Sequence, residues 1–195
     1  MKTKHIYLFL SLFTIMLIAC NPETKEEKVD ALIEDANNAK NKSVYTDVFE
    51  YNNAIVGLET KIRIEVLKFM PMNDIDSLRK QVSIIQKEIL SSTEILGKIS
   101  CSNDKDNKFK NATISYFNNL NEIYEAWSLF LDEMDNENID NMIDYNENIS
   151  ETLNDKLYTI LELEKTDFNP LWLSAQRVFA EENGSFVDTE GHPLD

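Results

Sequence analysis

From Lys28 to Met70, apolar side chains return every third or fourth residue, and no proline interrupts them. Val29, Ile33 and Ala36, then Val44, Val48, Tyr51, Ile55, Leu58, Ile62, Val66 and Phe69, trace one stripe, the signature of a helix with one buried face. Lys40 breaks the stripe among Asn37, Asn38 and Asn41. The pattern predicts a long first helix that bends or breaks near residue 41, with Ser43 available to cap its second half. Unbroken, residues 28–70 would run about 64 Å at 1.5 Å per residue, so a hinge or a projecting arm is expected. Gly57 lies between Ile55 and Leu58, either tolerated there or required by a close helix approach.

Pro71 ends this helix, because the residue before a proline avoids helical angles, and Asn73 or Asp74 caps the next one. Leu78, Val82, Ile85, Ile89, Ser92, Leu96 and Ile99 alternate steps of four and three, a heptad seam with one polar position. Residues 101–107 read as a polar turn. A third helix over about 108–134 carries Phe109, Tyr116, Leu120, Ile123, Trp127, Phe130 and Met134. An acidic connection at 135–138 leads to a fourth, marked by Ile139, Met142, Ile149, Leu153, Ile160 and Leu163, with Asn146 among them. Asn169-Pro170 opens a short amphipathic helix through Trp172, Ala175, Gln176 and Phe179, closed at Gly184. Residues 185–195 look extended, with Phe186 and Val187 as a docking pair. Faces this one-sided need one another, so the expected fold is all-α: an up-down four-helix bundle with a long first helix, a short C-terminal helix and an extended tail.

The N-terminus obeys a different pattern. Lys2 and Lys4 precede a run from Ile6 to Ile18 that is apolar except for Ser11 and Thr14. It falls short of the roughly 20 residues of a membrane-spanning helix and has the form of a secretory signal. Its end, Leu17-Ile18-Ala19-Cys20, resembles the bacterial lipobox. That resemblance implies cleavage after Ala19, a diacylglyceryl thioether on Cys20 and acylation of the new amine with a chain such as palmitate. The expected organisation is a signal peptide over 1–19, a lipidated Cys20 with a polar tether over 20–27, and a single domain over 28–195. Asn21 is not the Asp that retains lipoproteins at the inner membrane of enteric bacteria. Lys25-Glu26-Glu27 resembles the short export signal of Bacteroidetes surface lipoproteins, and reads equally as a solvated tether. The expected location is the outer membrane of a Gram-negative cell, in either leaflet.

Charge and residue supply narrow the chemistry. The chain carries 35 acidic against 19 basic residues, a net charge of -16. Such a body is repelled by phosphate backbones, so no nucleic-acid partner is expected. With Cys20 lipidated, Cys101 has no disulfide partner. Removal of His5 with the signal leaves His192, too little for Cys/His zinc sites, a Ser-His-Asp triad or paired Glu-x-x-His iron ligands. No cofactor and no catalytic constellation is expected.

The remaining candidates are ligand sites. Asp132, Asp135, Glu137, Asp140 and Asp144 supply oxygens for calcium, without the spacing or glycine of an EF-hand, and read alternatively as solvated surface. Asp104 and Asp106 begin a similar pattern that is not completed. Asn52 and Asn146 interrupt apolar stripes, either pairing across the bundle or lining a small-molecule pocket with Tyr51, Tyr116, Tyr124 and Trp127. Asp76-Ser77-Leu78 resembles a Bacteroidetes O-glycosylation triplet, and Asp76 reads equally as a helix cap.

Tyr51-Asn52-Asn53-Ala54-Ile55-Val56-Gly57-Leu58 and Ala175-Gln176-Arg177-Val178-Phe179-Ala180 resemble helical stretches of uncharacterised Bacteroidetes lipoproteins and, more faintly, a surface-protein family shared with leptospires. The resemblance implies a lipobox and a helical body and transfers no active-site position. The expected function is a lipid-anchored binding or structural module of the cell envelope, held to the membrane by its lipid and meeting a protein or small-molecule partner. A ligand-sensing or transport-accessory bundle is the alternative, and a hydrolase the third class.

Overall fold

The computed structural model describes residues 22–69, 72, 74–134, 151–165 and 169–184. Among them are six α-helices: α1 (Pro22–Asn38), α2 (Val48–Phe69), α3 (Ile75–Lys98), α4 (Lys108–Glu133), α5 (Glu151–Lys165) and α6 (Asn169–Glu182). The all-α expectation holds. The signal and lipobox residues 1–20, Asn146 and the tail from 185 lie outside the described residues. Residues 22–27, expected as a polar tether, are helical: they are the first turns of α1, which opens on Pro22, a residue suited to a first helical position.

The break near residue 41 is a full reversal, not an arm. The chain leaves α1 at Asn38, forms the two-residue strand β1 (Val44–Tyr45), and enters α2 so that α1 lies back against it. Gly57 explains how closely they lie. A Cβ built there would sit 2.0 Å from the Leu32 carbonyl oxygen and 3.0 Å from the Ala36 Cβ. Of the two readings of Gly57, the close approach is the one the fold uses. The cap of α2 is Asp47 rather than Ser43: its Oδ1 accepts the Glu50 N–H at 3.0 Å. Ser43 instead offers its carbonyl oxygen to the Ser100 N–H at 2.9 Å, beside the parallel pairing of β1 with β2 (Ser100–Cys101). The expected polar turn at 101–107 therefore starts as a strand.

Asp74 caps α3, accepting the Ser77 N–H at 2.8 Å in an extended conformation. Those hydrogen bonds hold its carboxyl below the usual range. Asp76 lies two residues past the capping position; it is exposed in the first turn and faces Arg79. The heptad seam is buried from Val82 to Ile99, while Leu78 is half-buried. Ser92 in that seam is fully buried, and its hydroxyl has no hydrogen-bond partner among the described residues.

Helices α2, α3 and α4 pack in sequence, and both α5 and α6 pack on α4. Lys156 on α5 reaches the Leu129 carbonyl at 3.2 Å, Trp172 on α6 meets Thr113 at 3.0 Å, and Phe179 stacks on Phe109 at 5.3 Å. The two helices thus follow one another along α4, running against it, and α6 opens on Asn169-Pro170. The C-terminal end of α4 is closed by cations from its neighbours: Arg79 donates to the carbonyls of Leu131 and Met134, and Lys156 pairs with Glu133. Positive charge at that end opposes the helix dipole's negative pole. No described helix is long and apolar enough to cross a membrane.

Candidate functional site

The aromatic residues expected to share one pocket are divided among three clusters. Tyr51 packs against Tyr45, Phe109 and Phe179, with ring centroids 5.3 to 6.5 Å apart across the group. Tyr116 stacks on Trp172 at 5.6 Å and touches Phe117. Tyr124 and Trp127 meet Phe69 at 6.1 and 5.2 Å, at the other end of the bundle. Tyr51, Asn52, Tyr116, Tyr124 and Trp127 therefore do not converge. Asn52 has a partner other than the expected Asn146: its Oδ1 accepts the Gln176 Nε2 at 3.1 Å.

Two carboxylates that the sequence reading passed over lie inside the bundle. Glu59 is 3% exposed, with its Oε1 accepting Nε and Nη2 of Arg63 at 2.9 and 2.5 Å. Glu59 first, and Tyr116 after it, hold the Arg63 guanidinium firmly in its charged form against the cost of burial. Since Arg keeps its proton in proteins, this pair is a fixed charge couple and no proton relay. It joins two successive turns of α2.

Glu164 is different. It sits on α5 beside Tyr124 and Trp127, and Trp127 hydrogen-bonds its carboxyl group. The indole N–H is the only donor tryptophan has. Burial pushes the Glu164 carboxyl above its ordinary value, and the Trp127 hydrogen bond offsets this only in part. Burial first, and Glu164 after it, push the Tyr124 hydroxyl up as well, so Tyr124 remains a neutral phenol. Glu164, Phe69 and Trp127 are half-buried, and Tyr124 is buried.

Both carboxylates were legible by period. Asn52, Ile55, Glu59 and Ile62 step by three and four, as do Leu153, Leu157, Ile160 and Glu164. An acid on a seam position is the signal. It was hidden by the number of acids in the chain.

The raised value of Glu164 sets a pH dependence. A carboxyl whose folded pKa exceeds its unfolded value favours the fold in its neutral form, below the unfolded pKa near 4.5. That contribution is lost as pH rises through the folded value. Glu164→Gln keeps the group neutral throughout. The variant should melt higher than the parent at pH 7, and the gap should close toward pH 4 in thermal unfolding followed by circular dichroism. A constant gap across that range would mean that charge is not the cause.

Of the candidate calcium ligands, Asp132 is exposed and faces Arg79 at 3.9 Å, while Asp135, Glu137, Asp140 and Asp144 lie outside the described residues. Asp104 is a structural residue, capping α4 from within the bundle. No three His, Cys, Asp or Glu side chains are grouped as metal ligands among the described residues. Comparison of the chain with protein-family models, curated proteins and solved structures finds no match.

Proposed function

We propose that this chain is a lipid-anchored protein of the bacterial envelope, working as a binding or structural module on the outer membrane. The observation that carries the reading is Leu17-Ile18-Ala19-Cys20 at the end of a basic-then-apolar run. The start of α1 at Pro22 supports it: a body that begins two residues after the lipidated cysteine is held close to the bilayer. Each buried methylene contributes about 0.8 kcal/mol, so several acyl chains hold firmly where one binds marginally. The acidic body adds no attraction to anionic lipid.

Cys20→Ser tests the anchor. Cells fed labelled palmitate should show the label on the parent chain and none on the variant, and the variant should leave the membrane fraction. Retention and labelling unchanged by the substitution would overturn the reading.

A second reading, a small-molecule-sensing bundle, is favoured by Glu164, because a partly open carboxyl with a raised pKa among aromatic rings is a common feature of binding sites.

A further inference from the structure

We propose that one end of the bundle is its membrane-facing surface, seated on the lipid headgroups: the end formed by the starts of α1, α3 and α5 and the ends of α2 and α4. The inference rests on the lipid-anchor reading above and adds to it the face that the anchor brings to the bilayer.

Chain length gives the first constraint. Pro22 opens α1, and only Asn21 stands between it and Cys20. Two residues span at most about 7 Å even when fully extended. With the acyl chains of Cys20 in the bilayer, the first turn of α1 is held at the headgroup layer.

Packing decides what else stands at that level. Helix α1 runs against α2, with Leu32 and Ala36 facing Gly57, and Asp35 hydrogen-bonded to Asn53. Pro22 comes ten residues before Leu32, and Phe69 twelve after Gly57. At 1.5 Å per residue they lie about 15 and 18 Å from that contact, at the same end. Gln81 donates to the Glu65 carbonyl at 2.8 Å and Lys61 pairs with Glu88 at 2.8 Å, so α3 runs against α2 and starts at this end. Arg79 reaches the Met134 carbonyl at 3.1 Å, while Lys110 reaches that of Ile99 at 3.2 Å, which brings the end of α4 there too. Lys156, against Leu129, adds the start of α5. The opposite end carries β1, β2 and residues 102–107. Helix α2 has 22 residues, so the two ends are about 33 Å apart.

Charge decides between standing and lying. An anchor at the foot of α1 could also lay the bundle along that helix. The outer face of α1, however, exposes Glu27, Asp30 and Glu34 at steps of three and four, and Lys28 is the one exposed cation over residues 27–38. Anionic lipid repels that face, as it repels the net charge of -16 on the whole chain. A body tied at one end and repelled along its flank stands on the tied end.

The test uses the chain expressed with its signal, purified, and reconstituted in vesicles of phosphatidylcholine and phosphatidylglycerol that include lipid with a nitroxide on its headgroup. Asp76→Cys, Glu34→Cys and Lys105→Cys place one fluorophore at the seated end, on the α1 flank and at the far end; all three positions are exposed. Cys101 is buried, and the Cys20 thiol is blocked by its lipid. The label at Asp76 should lose most of its emission to the nitroxide, and the labels at Glu34 and Lys105 should keep theirs. No loss at Asp76, equal losses at Asp76 and Lys105, or a loss at Glu34 as large as at Asp76 would overturn the seat, while labelled palmitate on Cys20 would leave the anchor standing. A chain that takes up no palmitate overturns both.

Discussion

Gly57→Ala is expected to lower stability by about 3 kcal/mol, although the same substitution elsewhere in this chain should raise it. In a helix interior, alanine is favoured over glycine by about 1 kcal/mol. At Gly57 the added methyl group would fall 2.0 Å from the Leu32 carbonyl oxygen and 3.0 Å from both the Leu32 carbonyl carbon and the Ala36 Cβ. The first contact is with backbone, so no side-chain rotation relieves it. Helix α1 must retreat from α2 by more than an ångström. Overpacking of this kind costs about 1–3 kcal/mol, occasionally more, and a shift that separates two helices along their length belongs at the upper end. Gly97, in the last turn of α3, has nothing within 4 Å of its added Cβ. Gly97→Ala should therefore gain about 0.5–1 kcal/mol. In a domain of this size each kcal/mol moves the melting temperature by about 2–4 °C. The two variants should thus shift in opposite directions, and two upward shifts would mean that α1 does not rest on Gly57.

Much of this fold was legible because most of its helices obey the rule that period reports burial. The seam read from Val82 to Ile99 is the buried face of α3, and the aromatic seam of α4 is buried at Phe109, Tyr116 and Phe130. The first helix misled because one stripe runs through both of its halves. Two helices that pack on each other each carry an apolar face, so a stripe continuing past Lys40 is compatible with one rod or with a hairpin. What decides between them is Gly57, whose meaning depends on a carbonyl some 25 residues earlier in the chain. No local pattern encodes that distance.

The candidate site was half legible. Tyr124 and Trp127 were expected in one pocket with Tyr51 and Tyr116, and these two do share one cluster. Tyr51 and Tyr116, grouped with them by residue type, belong to other levels of the bundle, because helical spacing fixes a face and leaves the height to the packing of neighbours. Glu164 was visible as an acid on a seam, but its burial beside Tyr124 depends on how α5 packs on α4. Asn52 shows the same limit: its polar position on the stripe was read correctly, and its partner is Gln176, 124 residues later.

Asp104→Ala is expected to cost about 3–5 kcal/mol, more than the loss of a surface acid, because this carboxylate joins three parts of the chain. It is 5% exposed. Its Oδ1 accepts the Phe109 N–H at 3.0 Å, and its Oδ2 accepts the Lys110 N–H at 3.1 Å and the Tyr51 hydroxyl at 3.0 Å. Asp106 and Asn107 between them adopt left-handed angles, φ 58° and 53°, which Asn and Asp tolerate better than most residues. That bend brings the first turn of α4 back over the carboxylate. Burial first, and the Asp104 charge after it, push the Tyr51 hydroxyl well above its ordinary pKa, so it remains a donor. Removing the acceptor orphans one O–H and two N–H groups, at about 1–3 kcal/mol for each that water cannot reach. Tyr51→Phe removes only one donor and leaves Asp104 bound to both amides, so it should cost about 1 kcal/mol. The decisive measurement is the double variant in denaturant unfolding. Once Asp104 is alanine, the Tyr51 hydroxyl is itself the orphan, and replacing Tyr51 with Phe should cost nothing or restore some stability. If Tyr51→Phe cost the same in both backgrounds, the hydroxyl and the carboxylate would not be coupled, and α2 would be held to the start of α4 by ring packing alone.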